Sequence, residues 1–343
     1  MHQGSDSGRV LCFGELLLRL SPSLQGKWIS DAAMPVYIGG AELNVAQALS
    51  HWGMPVDYST ALPDNYLSKE IIDFIAAKNI GNRGVLFRGE RIGTYYLPSG
   101  ADLKNAGVIY DRAHSSFAGL KPGMINWDDV LNDKSWFHFS AISPALNEDV
   151  AAVCLEAAQA AGKKGLTVSI DLNYRAKLWQ YGKKPMDVMP ALVEHCDVIM
   201  GNAWAAESLL GIASPLKESV GVSHATLEQG AYESMTAVRA RFPRARCLAY
   251  TFRLEKEYFA VIDNEKQRAR SVAFSMADAV DRVGSGDCFM AALIYGLIKK
   301  HQAGDIIDFA AAAAVGKLYE KGDATRQTLA DIQQRLQQQK ISG

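Results

Sequence analysis

No stretch of this chain approaches the roughly 18 consecutive apolar residues that a membrane span requires. Neither sign of charge is in excess: 36 Lys and Arg stand against 37 Asp and Glu, a net charge of −1. The first absence argues against a helical membrane protein, and the second leaves no electrostatic case for nucleic acid or an anionic membrane as partner. Cysteine is sparse and scattered. Cys12, Cys154, Cys196, Cys247 and Cys288 are odd in number and form no C-x-x-C pair, and no His lies at metal-ligand spacing from another. That argues against a zinc module or a disulfide framework and for buried free thiols in a reducing, cytoplasmic compartment. A Gly-rich dinucleotide turn is also missing: Gly14 leads into Glu15-Leu16-Leu17 with no G-x-G-x-x-G, which argues against a nicotinamide-dependent oxidoreductase.

What is present is an ordinary globular composition, 48% hydrophobic over 343 residues, long enough for a large core. Short β-rich runs alternate with amphipathic stretches. Strands are expected at Val10–Gly14, Val56–Ala61, Leu166–Ile170 and Asp197–Met200, and helices at Ala41–Trp52, Ser68–Lys78, Asn147–Ala161 and Ala203–Leu210. The alternation predicts an α/β fold whose mostly parallel sheet is covered by helices on both faces. Leu16–Ile38 and Arg91–Tyr110 break the rhythm as extended runs punctuated by Pro and Gly. They are expected to pair into a small antiparallel sheet that serves as a lid or an interaction ribbon. The polar opening, residues 1–9, reads as a flexible leader.

The most informative stretch is Asp281-Arg282-Val283-Gly284-Ser285-Gly286-Asp287, which opens directly into an apolar helical run reaching Ile298. Small residues there let consecutive backbone N–H groups converge at a helix N-terminus, a geometry suited to phosphate or developing negative charge. Asp287 in the first turn could equally cap the helix or take a proton from an attacking hydroxyl aimed at the same point.

This segment resembles the D-T-x-G-A-G-D signature of the ribokinase-like (PfkB-type) carbohydrate kinases. Gly39-Gly40-Ala41-Glu42-Leu43-Asn44-Val45-Ala46 resembles that family's second signature, G-G-x-x-x-N-x-A, about 240 residues upstream and in the right order. Three more blocks resemble the 2-keto-3-deoxygluconate kinases of the family: Gly14 to Pro22, Arg91 to Tyr96 with Val108 to Arg112, and Asp171 to Trp179. The resemblance implies a single ribokinase-like kinase domain over residues 10–335, a three-layer core with a small β-sheet lid at 16–38 and 91–112. It implies transfer of phosphate from ATP, with Mg²⁺, to a sugar-acid hydroxyl.

The same resemblance assigns residues. Asp287 is the base, and the amides of Gly284, Ser285 and Gly286 are the anion hole. Gly39, Gly40, Asn44, Tyr96, Tyr110, Arg112, Asn173 and Arg175 meet the sugar. Asn202, Thr251 and Arg253, with Gly284 and Gly286, meet the nucleotide, and the small residues from Phe309 to Gly316 with Gly322-Asp323 resemble an adenine wall. Arg112 and Arg175 supply the cations a carboxylate-bearing sugar needs, each charge-assisted hydrogen bond contributing about 1.5–3 kcal/mol. Ala205 departs from the pattern: it stands where relatives carry a metal-associated acid, and the nearest acid, Glu207, is left to reach a metal through water. Lys104 in the lid stands where an Arg is usual. Two other readings remain, a fructokinase-like kinase of the same family and a catalytically silent sugar-acid-binding regulator. The lid could also pair two subunits into a homo-oligomer.

Overall fold

Alternate residues of the first strand enter two different cores, and this pattern organises the molecule. In the computed structural model, which describes residues 8–23, 28, 30, 32–98, 107–219 and 221–342, Leu11 and Phe13 pack on one face of a sheet and Val10 and Cys12 on the other. The strands, in chain order, begin β1 (Arg9–Phe13), β2 (Leu17–Leu20), β3 (Val36–Gly39), β4 (Val56–Leu62), β5 (Ile80–Phe87), β6 (Gly93–Tyr96) and β7 (Ile109–Asp111). They continue β8 (Lys134–Ser140), β9 (Thr167–Asp171), β10 (Val198–Gly201), β11 (Cys247–Arg253), β12 (Glu257–Asn264), β13 (Arg268–Arg270) and β14 (Phe274–Ser275).

The large sheet runs β13-β12-β11-β10-β9-β8-β1-β4-β5, with β14 beside β12. From β11 to β5 every neighbouring pair is parallel, and β12, β13 and β14 add an antiparallel edge. Helices Glu148–Lys163 and Ala203–Leu210 cover one face; Ala41–His51, Ser285–Ile298 and Ala303–Lys317 cover the other. β4 and β10 are buried at every position, and polar residues inside β4 find partners, Asp57 with Arg9 and Lys134 and the Ser59 hydroxyl with the Gly84 carbonyl. All five cysteines are buried and unpaired within these cores, as the composition implied.

The two irregular segments do form a separate sheet, β3-β2-β6-β7, but it is not wholly antiparallel. Its central pair, β2 with β6, is parallel. The chain leaves β2, crosses the body through β4 and β5, and returns in the same direction, which only a long crossover permits. Cross-strand register places Leu17, Arg19, Tyr95 and Tyr110 on the face toward the large sheet. Leu18, Leu20, Val36, Ile38, Tyr96 and Ile109 share the outer face, where Val36 and Ile109 are 55% and 52% exposed. Arg9 belongs to β1 and pairs with Asp57 at 2.7 Å, so it is no part of a leader; residues 1–7 and Lys104 lie outside the described residues. No described helix is long and apolar enough to cross a membrane.

Candidate active site

Gly284 starts the helix Ser285–Ile298 with a left-handed backbone, φ 80°. A Cβ there would lie 1.8 Å from the Asp323 carbonyl oxygen, so only glycine fits the turn. The Ser285 hydroxyl donates to the Ala314 carbonyl at 2.9 Å, which leaves the backbone N–H as that residue's group for an anion. Asp287 makes no capping hydrogen bond, so the helix-cap role left open by the sequence does not apply. Its carboxylate is buried, lines a cavity of about 670 Å³, and accepts a hydrogen bond from Asn44 Nδ2 at 2.7 Å. Burial pushes its pKa up to about 6, while the Asn44 donor and the nearby Arg175 charge hold it down. Asn44 thus braces the carboxylate itself, across 243 residues of sequence.

The cavity opens along the C-terminal ends of β1, β8, β9 and β10, where open parallel sheets place ligands, and the small sheet covers it. Of the expected sugar residues, Gly40, Asn44, Tyr110, Arg112, Asn173 and Arg175 line it. Gly39 and Tyr96 do not. Gly39 is needed because a Cβ there would meet Asp323 Oδ2 at 2.1 Å, so it accommodates a side chain and not a ligand; Gly40, at φ 128°, passes the Glu15 carbonyl. Tyr96 sits on the outer face stacked on Trp28, with ring centroids 5.9 Å apart, and the strand alternation brings Tyr95 inward in its place.

The two arginines differ. Arg112 is buried and spends two nitrogens on Glu15 Oε2, at 2.6 and 2.5 Å, while Glu15 Oε1 accepts from the Ser115 hydroxyl at 2.5 Å. This pair pins the end of β7 to the loop after β1 and largely neutralises the guanidinium. Arg175 lies on the loop after β9, before the short 3₁₀ turn Ala176–Leu178, and makes no side-chain hydrogen bond or ion pair with any described residue. Of the two, it is the arginine not tied up in an ion pair, and its charge acts on Asp287 across the cavity.

At the other end Asn202, Thr251 and Arg253 face the cavity. Asn202 also caps helix Ala203–Leu210, accepting from the Ala205 N–H at 2.8 Å. Glu207 does not reach the cavity. It is exposed and accepts the Ser214 N–H at 3.2 Å, so it offers nothing to a metal there. Phe309–Gly316 lines no part of this cavity; its alanines pack beneath Ser285–Ile298. Among the described residues no three His, Cys, Asp or Glu side chains converge as a metal cage.

Three site residues, Glu42, Tyr95 and Asp171, were given no role of their own by sequence reasoning, and a fourth, Asp323, was read as part of an adenine wall. Glu42, in the first turn of helix Ala41–His51, accepts the Ser140 N–H and hydroxyl at 2.9 and 2.6 Å, and burial with Asp287 nearby lifts its pKa to about 7. Tyr95 donates to Asp323 Oδ2 at 3.0 Å. Asp171 ends β9 at the cavity rim, and Asp323 enters from the loop after Ala303–Lys317. Period-two register in β6 was the available signal for Tyr95; nothing local placed Asp323 against the turn at Gly284.

Residues 7–328 match the pattern of the pfkB family carbohydrate kinases. The chain belongs to that family. The kinase is 28% identical over 321 residues to the 2-dehydro-3-deoxygalactonokinase of Haloferax volcanii, covering 92% of this chain and 93% of that one. It superposes on the 2-dehydro-3-deoxygluconokinase of Thermotoga maritima with a TM-score of 0.85 at 31% identity, over 96% and 99% of the two chains. A probable fructokinase of Arabidopsis thaliana, fructokinase-3, is 24% identical over 299 residues, 85% of this kinase and 79% of the plant chain.

Proposed function

We propose that this carbohydrate kinase transfers the γ-phosphoryl group of ATP to a hydroxyl of a 2-keto-3-deoxy sugar acid, 2-keto-3-deoxygluconate above all. The observation that carries the substrate class is Arg175: a guanidinium with no side-chain hydrogen bond or ion pair among the described residues, in the same cavity as Asp287. A neutral sugar would leave that guanidinium with only the more distant Asp287 carboxylate, whereas a substrate carboxylate could meet it bidentately. The similarity to two kinases of 2-dehydro-3-deoxy sugar acids supports the same class.

In this reading Arg175, with the cavity edge of Arg112, holds the carboxylate, and Tyr95, Tyr110 and Asn173 bound the sugar chain. The far hydroxyl lies at Asp287. As its oxygen bonds to the γ-phosphorus, the proton passes to the Asp287 carboxylate and the β–γ bridging oxygen leaves with ADP. The N–H groups of Gly284, Ser285 and Gly286 meet the charge on the moving phosphoryl group. Positioning supplies most of the acceleration, with the base adding roughly 10²–10⁴-fold. The donor set fits a magnesium ion carried chiefly by phosphates and water, with Asp171 the carboxylate to meet it, not a metal caged by protein. When bound, such an ion would neutralise phosphate charge. The outer face of the small sheet, apolar and half exposed at Val36 and Ile109, is left to a second copy of the chain.

The test is ATP consumption with Mg²⁺ over a panel of 2-keto-3-deoxygluconate, 2-keto-3-deoxygalactonate, fructose, ribose and a blank without sugar. Turnover confined to the two acids is expected. Turnover with fructose alone would make the chain a fructokinase, and ATP binding without turnover would make it a sugar-acid sensor.

A further inference from the structure

Behind the anion hole lies a buried charge cluster in which no group but Asp323 lines the cavity. Arg19, on β2 of the small sheet, is 1% exposed. Its two terminal nitrogens reach Asp281 at 2.9 and 3.4 Å, and Nε lies 2.8 Å from Asp323 Oδ1, close but off the N–H axis. The guanidinium also stacks over Tyr37 of β3 at 4.4 Å. The two acids bracket the turn that carries the hole. Asp281 accepts the N–H groups of Val283 at 3.0 Å and of Gly322 at 3.2 Å. Asp323 rests its own carbonyl against Gly284 and its carboxylate against Gly39, and it receives the Tyr95 hydroxyl. Lys317 completes the cluster: wholly buried, it donates to the Glu320 carbonyl at 3.0 Å, and its stem lies 3.3 Å from where a Gly284 Cβ would be. Two cations thus face two acids, and burial holds the lysine pKa down and the Asp323 pKa up.

Buried ion pairs of this kind add little stability over apolar packing, so the arrangement calls for a geometric use. It joins the sheet that covers the sugar to the turn that meets the phosphate, through one side chain that touches neither ligand. We propose that Arg19 is a positioning residue that couples the two subsites, so that occupancy of the sugar subsite sets Gly284–Gly286 for phosphate and each ligand tightens the other. A guanidinium can span Asp281 and Asp323 at once; an ammonium cannot. The coupling rests on the kinase reading of the cavity and not on which sugar enters it.

The experiment is binding linkage with turnover in wild type and Arg19→Lys. Affinity for the β,γ-imido analogue of ATP with Mg²⁺ is measured with and without saturating 2-keto-3-deoxygluconate, alongside kcat and the ratio of sugar-stimulated to sugar-free ATP hydrolysis. In wild type the sugar should tighten the analogue at least fivefold, the lower range of site-to-site coupling. In Arg19→Lys that factor should fall below twofold and kcat by about tenfold or more, while sugar-free affinity for the analogue stays within twofold. A purely structural role would lower the melting temperature and leave the linkage factor intact, and that result would overturn the proposal, as would a wild type without linkage. If Arg19→Lys does not fold, Asp323→Asn keeps the shape and the Asp281 pair while weakening the second arm; retained linkage there overturns the proposal equally. Failure of wild type to phosphorylate 2-keto-3-deoxygluconate would defeat only the substrate assignment, and the linkage is then measured with the panel sugar that is phosphorylated.

Discussion

In the proposed reaction Asp287 has to be ionised to take a proton, and burial raises the pKa of its carboxyl. With a pKa of about 6, kcat/KM should fall about tenfold per unit as pH drops below that value. Asp287→Asn should fold, bind both ligands, lose about 3–5 kcal/mol of transition-state stabilisation, and show no such limb. Near-normal turnover in that variant would take Asp287 out of the role. Arg175 enters the same profile because its charge holds the Asp287 pKa down. Arg175→Met should therefore raise KM for the sugar acid about 10- to 100-fold, equivalent to one or two lost charge-assisted bonds, and move the acid limb upward. Its KM for a neutral sugar should not change, and a parallel rise there would show that the arginine merely shapes the cavity. Arg112 makes a poorer probe, since its removal leaves Glu15 buried without its cation.

Turns and registers decide more at the next scale. Gly284→Ala should cost at least about 1–3 kcal/mol for the left-handed backbone, with the Asp323 carbonyl in the way besides, and lower kcat by roughly 10²-fold or more through a misplaced N–H. Denaturant midpoints and single-turnover rates measure the two effects separately. This is also where the sequence was most and least legible. The turn before Asp287 could be read because its chemistry is local, four consecutive residues and a helix start. The parallel elements could be read from period, with ends displaced by one or two residues: the helix expected at Ser68–Lys78 runs Tyr66–Ala77. Tyr96 was taken for Tyr95 because the motif names a pair of tyrosines and only register tells which points inward. Glu207 was offered to a metal because distance along a helix was the only available measure, whereas its direction toward Ser214 is a property of the folded loop. Asp323 meets Arg19, Gly39 and Gly284, residues far apart in sequence, and no pattern in one chain announces such a meeting.

At the scale of the molecule, the outer face of the small sheet packs Leu18 and Ile38 against the body but leaves Val36 and Ile109 about half exposed. That face should bury against a second copy, which predicts a mass in solution of twice the chain and a shift to monomer in Ile109→Asp, measured by light scattering across concentration. A wild type that stays monomeric at high concentration would leave that face to other uses. The five thiols have a different consequence. Cys154 and Cys196 lie in one core and Cys12, Cys247 and Cys288 in the other, and burial raises the pKa of every one. An alkylating reagent needs an accessible thiolate, and the folded chain presents none among these. Each sulfhydryl therefore serves as a clock that starts only when its own layer opens. Mass labelling of Cys288 ahead of Cys154 would time the loosening of helix Ser285–Ile298 separately from the opposite side of the sheet.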